Sequence, residues 1–231
     1  MKKIIILGAG TAGTIMLNKL RKALPRDEWT ITIIDQHRTH YYQPGFLFIP
    51  FGIYNREDVI KPKADFFPPG VNVIFDETDK IHPEESSILM KDGTVHKYDY
   101  LIIATGTQTR PEETPGLKGD LWYKEIFDFY TIEGAMALRE YFKRWEGGHL
   151  VMNIAEVPYK CPVAPLEFVF LADDYFTKIG IRNKVKISYV TPMSGAFTKP
   201  RATKMLSGLL EEKNIDVIPD FYLESVDNEK K

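Results

Sequence analysis

Cysteine is almost missing from this chain: Cys161 is the only one in 231 residues. An internal disulfide is therefore impossible, and the count fits a cytosolic or otherwise reducing compartment. Cysteine and histidine do not cluster at zinc spacing either; His37, His40, His82, His96 and His149 are scattered and read as surface or turn residues. No charge of one sign dominates. Lys and Arg number 30 against 32 Asp and Glu, which argues against nucleic acid or another polyanion as a partner. No apolar run approaches the ~18 residues that a membrane-spanning helix needs. Met1-Lys2-Lys3 followed by Ile4 to Leu7 is too short for a secretory leader, so a cytoplasmic location, or a peripheral one on the cell membrane, is expected. Repeats and low-complexity tracts are absent. What remains is an ordinary globular composition, long enough for one large domain or two small ones.

The clearest positive feature is Gly8-Ala9-Gly10-Thr11-Ala12-Gly13. It follows an apolar strand, Lys2 to Leu7, and opens a helical stretch, Thr14 to Leu24. That context gives the glycines their meaning. Gly8 allows a tight turn, Gly10 lets the backbone approach a pyrophosphate, and Gly13 permits close packing of helix on strand. The helix N-terminus attracts phosphate charge. A second strand, Trp29 to Asp35, ends in an acid placed to accept hydrogen bonds from ribose hydroxyls. The competing reading is a strand–turn–helix with structural glycines and a surface aspartate. Further on, Gly70 to Phe75 and Ser87 to Gly93 alternate like strands of an antiparallel meander, with Asp92-Gly93 at a hairpin turn. Tyr98 to Thr107 reads as a strand ending in Ala104-Thr105-Gly106, small residues where a backbone meets a ligand.

As a set, these segments resemble the two-dinucleotide-binding-domain flavoproteins. The resemblance implies FAD on the loop Gly8 to Gly13, with Ala104, Thr105 and Gly106 closing on it. It places Asp35, with its neighbour Gln36, at the adenosine ribose, and Thr78 near the adenine. It brings the region around Gln43, Pro44 and Gly45 past the flavin ring. The stretch His40 to Tyr54 carries six aromatics, which either wall a flat quinone or flavin ring or simply pack the core.

Arg110 to Gly116 has linker composition, which divides the chain into an FAD-binding module, 1–108, and a second module, 109–231. The fold class expected is α/β: a Rossmann-like FAD-binding domain with an antiparallel meander, then a second Rossmann-like domain. Phe129 to Trp145 is helical from near Thr131, and Gly147-Gly148 breaks it before a strand, His149 to Ile154. A second glycine fingerprint belongs after that strand in an NAD-using protein, and it is missing. The turn is Ala155-Glu156-Val157-Pro158-Tyr159-Lys160-Cys161-Pro162. Without glycine, and with Glu156, it does not admit a dinucleotide phosphate. The next strand, Lys184 to Val190, ends in Thr191-Pro192 and supplies no acid for a ribose. NAD(P) is therefore not expected at the second site.

Cys161 takes the place of that loop, just before a helix with Pro165 in its first turn. A helix N-terminus favours a thiolate, and Lys160 adds to that. Glu167 is the candidate proton relay, although its charge opposes a thiolate. The competing reading is a buried structural cysteine. Lys160-Cys161-Pro-x-Ala-Pro-x-Glu167, in a module without an NAD loop, looks like sulfide:quinone oxidoreductase and the related flavocytochrome c sulfide dehydrogenase. That resemblance implies Cys161 and Glu167 as catalytic residues, sulfide and quinone as substrates, FAD as cofactor and no metal. It implies a second cysteine from a C-terminal half, attack of sulfide on the sulfur bridge, and two electrons delivered to FAD. The second cysteine, a Gly-Asp flavin motif and amphipathic membrane-anchoring elements do not occur here. The chain therefore looks like the N-terminal part of such an enzyme, with membrane contact expected only through the rest and homo-oligomerisation left open. Two alternatives stand beside this reading: an NADH:quinone oxidoreductase-like flavoprotein, and a non-catalytic flavin-binding fragment. Val217 to Val226 begins a strand pattern, and Asn228 to Lys231 are expected to end it in mid-hairpin.

Overall fold

The computed structural model describes residues 1–227. By their contacts these form two units, residues 1–42 with 57–108, and residues 43–56 with 109–231.

The first unit is built on β1 (Lys2–Leu7), α1 (Thr11–Ala23) and β2 (Trp29–Ile34). β1 and β2 run parallel, in register from Lys2 opposite Trp29 to Leu7 opposite Ile34. A short antiparallel pair, β3 (Thr39–Tyr41) and β4 (Ile60–Pro62), stands apart from this sheet. β5 (Asn72–Ile74) adds to β2 in parallel. The antiparallel meander consists of β6 (Thr78–His82), β7 (Ser87–Met90) and β8 (Val95–Lys97). β9 (Tyr100–Ile103) closes the parallel sheet, whose order is β5-β2-β1-β9. β1 is buried on both faces, which explains its unbroken run of Ile and Leu. Ile4 and Ile6 pack with Leu17, Ile31 and Ile33, while Ile5 and Leu7 face Ile34, Ile88 and Met90.

One expected element is corrected. Gly70 to Phe75 was assigned to the meander by its alternation, but β5 joins the parallel sheet instead. Three alternating residues have the same pattern in either sheet, and only the partner decides. The Asp92-Gly93 turn does join β7 to β8, with Met90 N–H bonded to Thr94 O at 2.8 Å.

The second unit contains α2 (Ile132–Phe142), β10 (Gly148–Asn153), α3 (Ala164–Lys178), β11 (Val185–Val190), α4 (Pro200–Glu212) and β12 (Ile215–Ile218). Its sheet is parallel, in the order β10-β11-β12. Thr131 caps α2 by accepting from Gly134 N–H at 3.0 Å. Its core contains Leu138, Phe142, Phe168, Phe176, Ile187 and Tyr189. Residues 43–56 belong here rather than with the first 108, because their apolar side chains have their partners in this core. Phe51 lies 5.2 Å from Phe168 and 5.9 Å from Phe142, ring centre to ring centre. The strand pattern expected over Val217 to Val226 is shorter than read. It covers Ile215–Ile218, and Pro219 with Asp220 at φ +53° stops it. Beyond it, Val226 N–H reaches Pro115 O at 2.9 Å. The hairpin end expected at Asn228 to Lys231 falls outside the described residues.

Candidate functional site

In the first unit, the glycine turn is shaped by two glycines and left open at a third. Gly8 has φ +98°, and a Cβ on it would lie 2.4 Å from Ala104 O. A Cβ on Gly13 would lie 1.8 Å from Gly8 O. Both positions are filled by the protein's own backbone, so α1 and the end of β9 can approach β1 only through glycine. Gly10 has nothing within 4 Å of where its Cβ would be. It stands at the N-cap of α1, and no side chain caps that turn. Thr11 and Ala12 are exposed, Ala9 and Gly13 buried. The turn thus offers an uncapped helix N-terminus beside open space, which fits a pyrophosphate. Ala104 and Thr105 meet Gly8 through their backbones, and Gly106, with φ +74°, has open space around it.

Asp35 sits against this turn. Its Oδ2 accepts from Ala9 N–H at 2.6 Å, and its Oδ1 accepts from His37 N–H at 2.8 Å. Lys63 Nζ pairs with Oδ1 at 2.6 Å, and both side chains are nearly buried, at 7% and 13% exposure. Burial pushes the Asp35 carboxyl upward, but Lys63 and the two N–H groups outweigh it and hold it below the usual aspartate range. Lys63 is a residue that sequence reading missed. It lies 28 positions from Asp35, and no spacing rule joins them. His40, read as a surface residue, is half-buried with Nδ1 lacking a hydrogen-bond partner. Burial, then repulsion from Lys63, lowers its pKa and favours the neutral ring. Gln36 is exposed. Thr78, half-buried at the start of β6, directs its hydroxyl toward Met90 Sδ at 3.9 Å.

In the second unit, the segment between β10 and α3 carries the thiol. Cys161 is exposed, which removes the buried-core reading. Its backbone is left-handed, with φ +56°. For a residue with a Cβ that conformation costs about 1–2 kcal/mol. Hydrogen bonds converge on the carbonyls around it. The Tyr130 hydroxyl donates to Lys160 O at 2.6 Å and lies 3.4 Å from Cys161 O. Cys161 O also accepts from Ala164 N–H at 3.2 Å, in the first turn of α3. The Tyr159 hydroxyl donates to Pro162 O at 3.0 Å. Lys160 Nζ donates to Gln43 Oε1. Burial lowers the Lys160 pKa, and the neighbouring Cys161 opposes that shift. Burial raises the Tyr130 pKa, with Cys161, Tyr159 and Glu167 adding to it, so this hydroxyl stays protonated. Glu167 is exposed in the first turn of α3.

Within this unit the structure therefore gathers Gln43, Lys160, Cys161, Tyr130 and, electrostatically, Glu167. Pro44 is exposed beside Gln43. The six aromatics divide: Phe46 and Phe51 are buried, Phe48 packs on Tyr54 at 5.4 Å, Tyr41 is half-buried and Tyr42 is exposed. For the buried pair, core packing is their role. Between β10 and α3, where a fingerprint loop would lie, there is no glycine.

The pyridine nucleotide-disulphide oxidoreductase description matches residues 2–151. The chain is 29% identical over 215 residues to the mitochondrial sulfide:quinone oxidoreductase of Dictyostelium discoideum, covering 93% of this chain and 47% of that one. It is 32% identical over 143 residues to the type II NADH:quinone oxidoreductase of Staphylococcus haemolyticus, covering 62% of this chain and 34% of that one. Its fold is similar to the crystal structure of sulfide:quinone oxidoreductase from Aquifex aeolicus, with a TM-score of 0.80 at 21% identity, over 98% of this chain and 53% of that one. The chain spans about half the length of the sulfide:quinone oxidoreductases it matches. That match covers the glycine turn, Asp35, all three sheets of the first unit and most of β10, and by it this chain belongs to the pyridine nucleotide-disulphide oxidoreductase family, whose members are FAD-binding flavoproteins.

Proposed function

We propose that this chain is the FAD- and thiol-bearing part of an enzyme that oxidises sulfide and reduces a quinone. The observation that carries the reading is an exposed, left-handed Cys161 in a glycine-free turn, where a dinucleotide-binding unit needs its fingerprint. In the first unit, Gly10 and the uncapped start of α1 would hold the FAD pyrophosphate, and Asp35 would accept from the adenosine ribose. Gly8, Gly13, Ala104 and Thr105 shape that cradle, with Ala9, Thr11, Ala12 and Gly106 on its surface. Gln36 and Thr78 flank the adenosine end. When bound, FAD supplies a two-electron acceptor that returns to its oxidised form by reducing quinone.

In the second unit, Cys161 carries the sulfur chemistry. Sulfide attacks the sulfur bonded to Cys161: a new S–S bond forms to that sulfur, its bond to Cys161 Sγ breaks, and Cys161 leaves as the thiolate with the electron pair. The two electrons that each sulfide gives up would be accepted by FAD, when bound, and passed with two protons to quinone. The sulfur that Cys161 is bonded to lies outside residues 1–231, which contain no other cysteine. Glu167, exposed on α3, relays the proton of the incoming hydrosulfide.

Anaerobic addition of sulfide to the complete enzyme should bleach the visible flavin band, while NADH leaves it unchanged. Cys161→Ser should abolish bleaching by sulfide. Unaltered flavin reduction in that variant would remove Cys161 from the mechanism. The match to type II NADH:quinone oxidoreductases favours a second reading, in which NADH is the donor. Bleaching by NADH and not by sulfide would establish it.

A further inference from the structure

We propose that the Tyr130 hydroxyl is the positioning group for Cys161, holding the thiol-bearing backbone in its left-handed conformation. The inference rests on the reading that Cys161 is the reacting thiol. Its warrant is a pattern of contacts confined to one short segment. Side-chain hydroxyls hold consecutive carbonyls there: Tyr130 on Lys160 O and close to Cys161 O, Tyr159 on Pro162 O. No helix or strand includes residues 154–163, so these contacts replace the ladder that would otherwise fix the backbone. A left-handed non-glycine residue persists only where its surroundings over-determine it.

Tyr130 is itself well fixed. Its N–H donates to Asp128 Oδ1 at 2.9 Å, and the same oxygen accepts from Thr131 N–H at 2.7 Å. Asp128 Oδ2 accepts from the Tyr123 hydroxyl at 2.9 Å. The ring stacks on Phe129 at 5.1 Å, and Phe129 stacks on Phe168 of α3 at 4.7 Å. The hydroxyl is thus referenced to the N-cap of α2 and to the body of α3. Tyr130 is a positioning residue, since its hydroxyl contacts carbonyls and not the sulfur.

Tyr130→Phe removes the hydroxyl and keeps the ring stack, so the unit should fold. In the complete holoenzyme, rapid mixing with sulfide should show the limiting rate of flavin reduction falling about tenfold, the effect of one lost hydrogen bond in the reacting geometry. The half-saturating sulfide concentration and the rate of reoxidation by quinone should not change. Hydrogen exchange over residues 158–164 should quicken, with the interior of α3 unaffected. Placed in a Cys161→Gly background, where a left-handed backbone carries no strain, Tyr130→Phe should quicken exchange far less. A parent-like limiting rate in Tyr130→Phe would overturn the proposal. So would equal losses in the sulfide and quinone steps, or an exchange effect of the same size in the glycine background. Cys161→Ser run in parallel keeps the two readings apart: if it reduces at the parent rate, the thiol reading fails, whatever Tyr130→Phe does.

Discussion

Lys63 and Asp35 form a nearly buried ion pair one hydrogen bond away from the glycine turn. Breaking such a pair from one side leaves an uncompensated charge, which costs about 3–5 kcal/mol. Lys63→Met should therefore lower the unfolding free energy by about that amount at neutral pH. The Asp35 carboxyl is held below its ordinary value of 3.8 in the folded protein. Its contribution is complete above that value and is lost as pH falls through the lowered folded one. In Lys63→Met the stranded carboxylate is relieved by protonation, so the gap between parent and variant should shrink below about pH 4. Denaturant unfolding at neutral pH and near pH 3 checks this; a gap that does not narrow means that Asp35 is not the group Lys63 stabilises. Asp35 was legible in the sequence because a strand ends on it at the distance a ribose contact requires. Lys63 was not, since it comes from the turn after β4 and its partner is set by the fold. Tyr130 was hidden for a related reason: its targets are main-chain carbonyls 30 and 31 positions on, and carbonyls leave no mark in a sequence.

At the scale of elements, the three glycines of the turn separate into two jobs. Gly13→Ala would place a methyl 1.8 Å from Gly8 O, so α1 would have to leave β1. A loss of about 3 kcal/mol or more is expected, as for other forced overpacking. Gly10→Ala meets open space and should cost only about 1 kcal/mol, that of a poorer N-cap residue. On the proposed placement of the pyrophosphate beside Gly10, the methyl should nevertheless empty the protein of flavin. Flavin content per purified chain, measured beside thermal unfolding, distinguishes the two. Equal flavin content in parent and Gly10→Ala would place the phosphate elsewhere. The strand–glycine–helix unit was readable because its signals are local: a run of apolar residues, fixed glycine offsets, then a helical period. The same holds for α2, whose Thr131 cap is visible in the sequence, and for α3, which has Pro165 in its first turn. β5 was misplaced because three alternating residues do not name their partner. α4 carried no expectation at all, although Pro200 begins it and Leu206 and Leu210 pack into the core.

At the scale of the whole molecule, composition and turn residues predict two α/β units divided near residue 108. They did not reveal that residues 43–56 belong with the later unit. A stretch rich in aromatics suits a ligand wall or a core equally well, and only the partners decide. Phe46, Leu47, Ile49 and Phe51 are all buried. A polypeptide cut at residue 108 would leave these four side chains without the helices that cover Phe51. Residues 1–108 alone should bind the dye ANS strongly and aggregate at micromolar concentration, whereas the 231-residue chain does neither. Weak dye binding by the short polypeptide would mean that it buries the segment by itself.

The placement of residues 43–56 also bears on how the chain is made. Phe51 leaves the ribosome 91 residues ahead of Phe142 and 117 ahead of Phe168, the rings it packs against. At translation speeds of about 5–20 residues per second, a greasy loop waits for roughly 5–20 s before its partners exist. Throughout that interval the nascent chain displays a strip of bulky apolar side chains next to a half-built nucleotide fold. Holding chaperones take such strips as clients. The second core closes only when synthesis is most of the way along this chain.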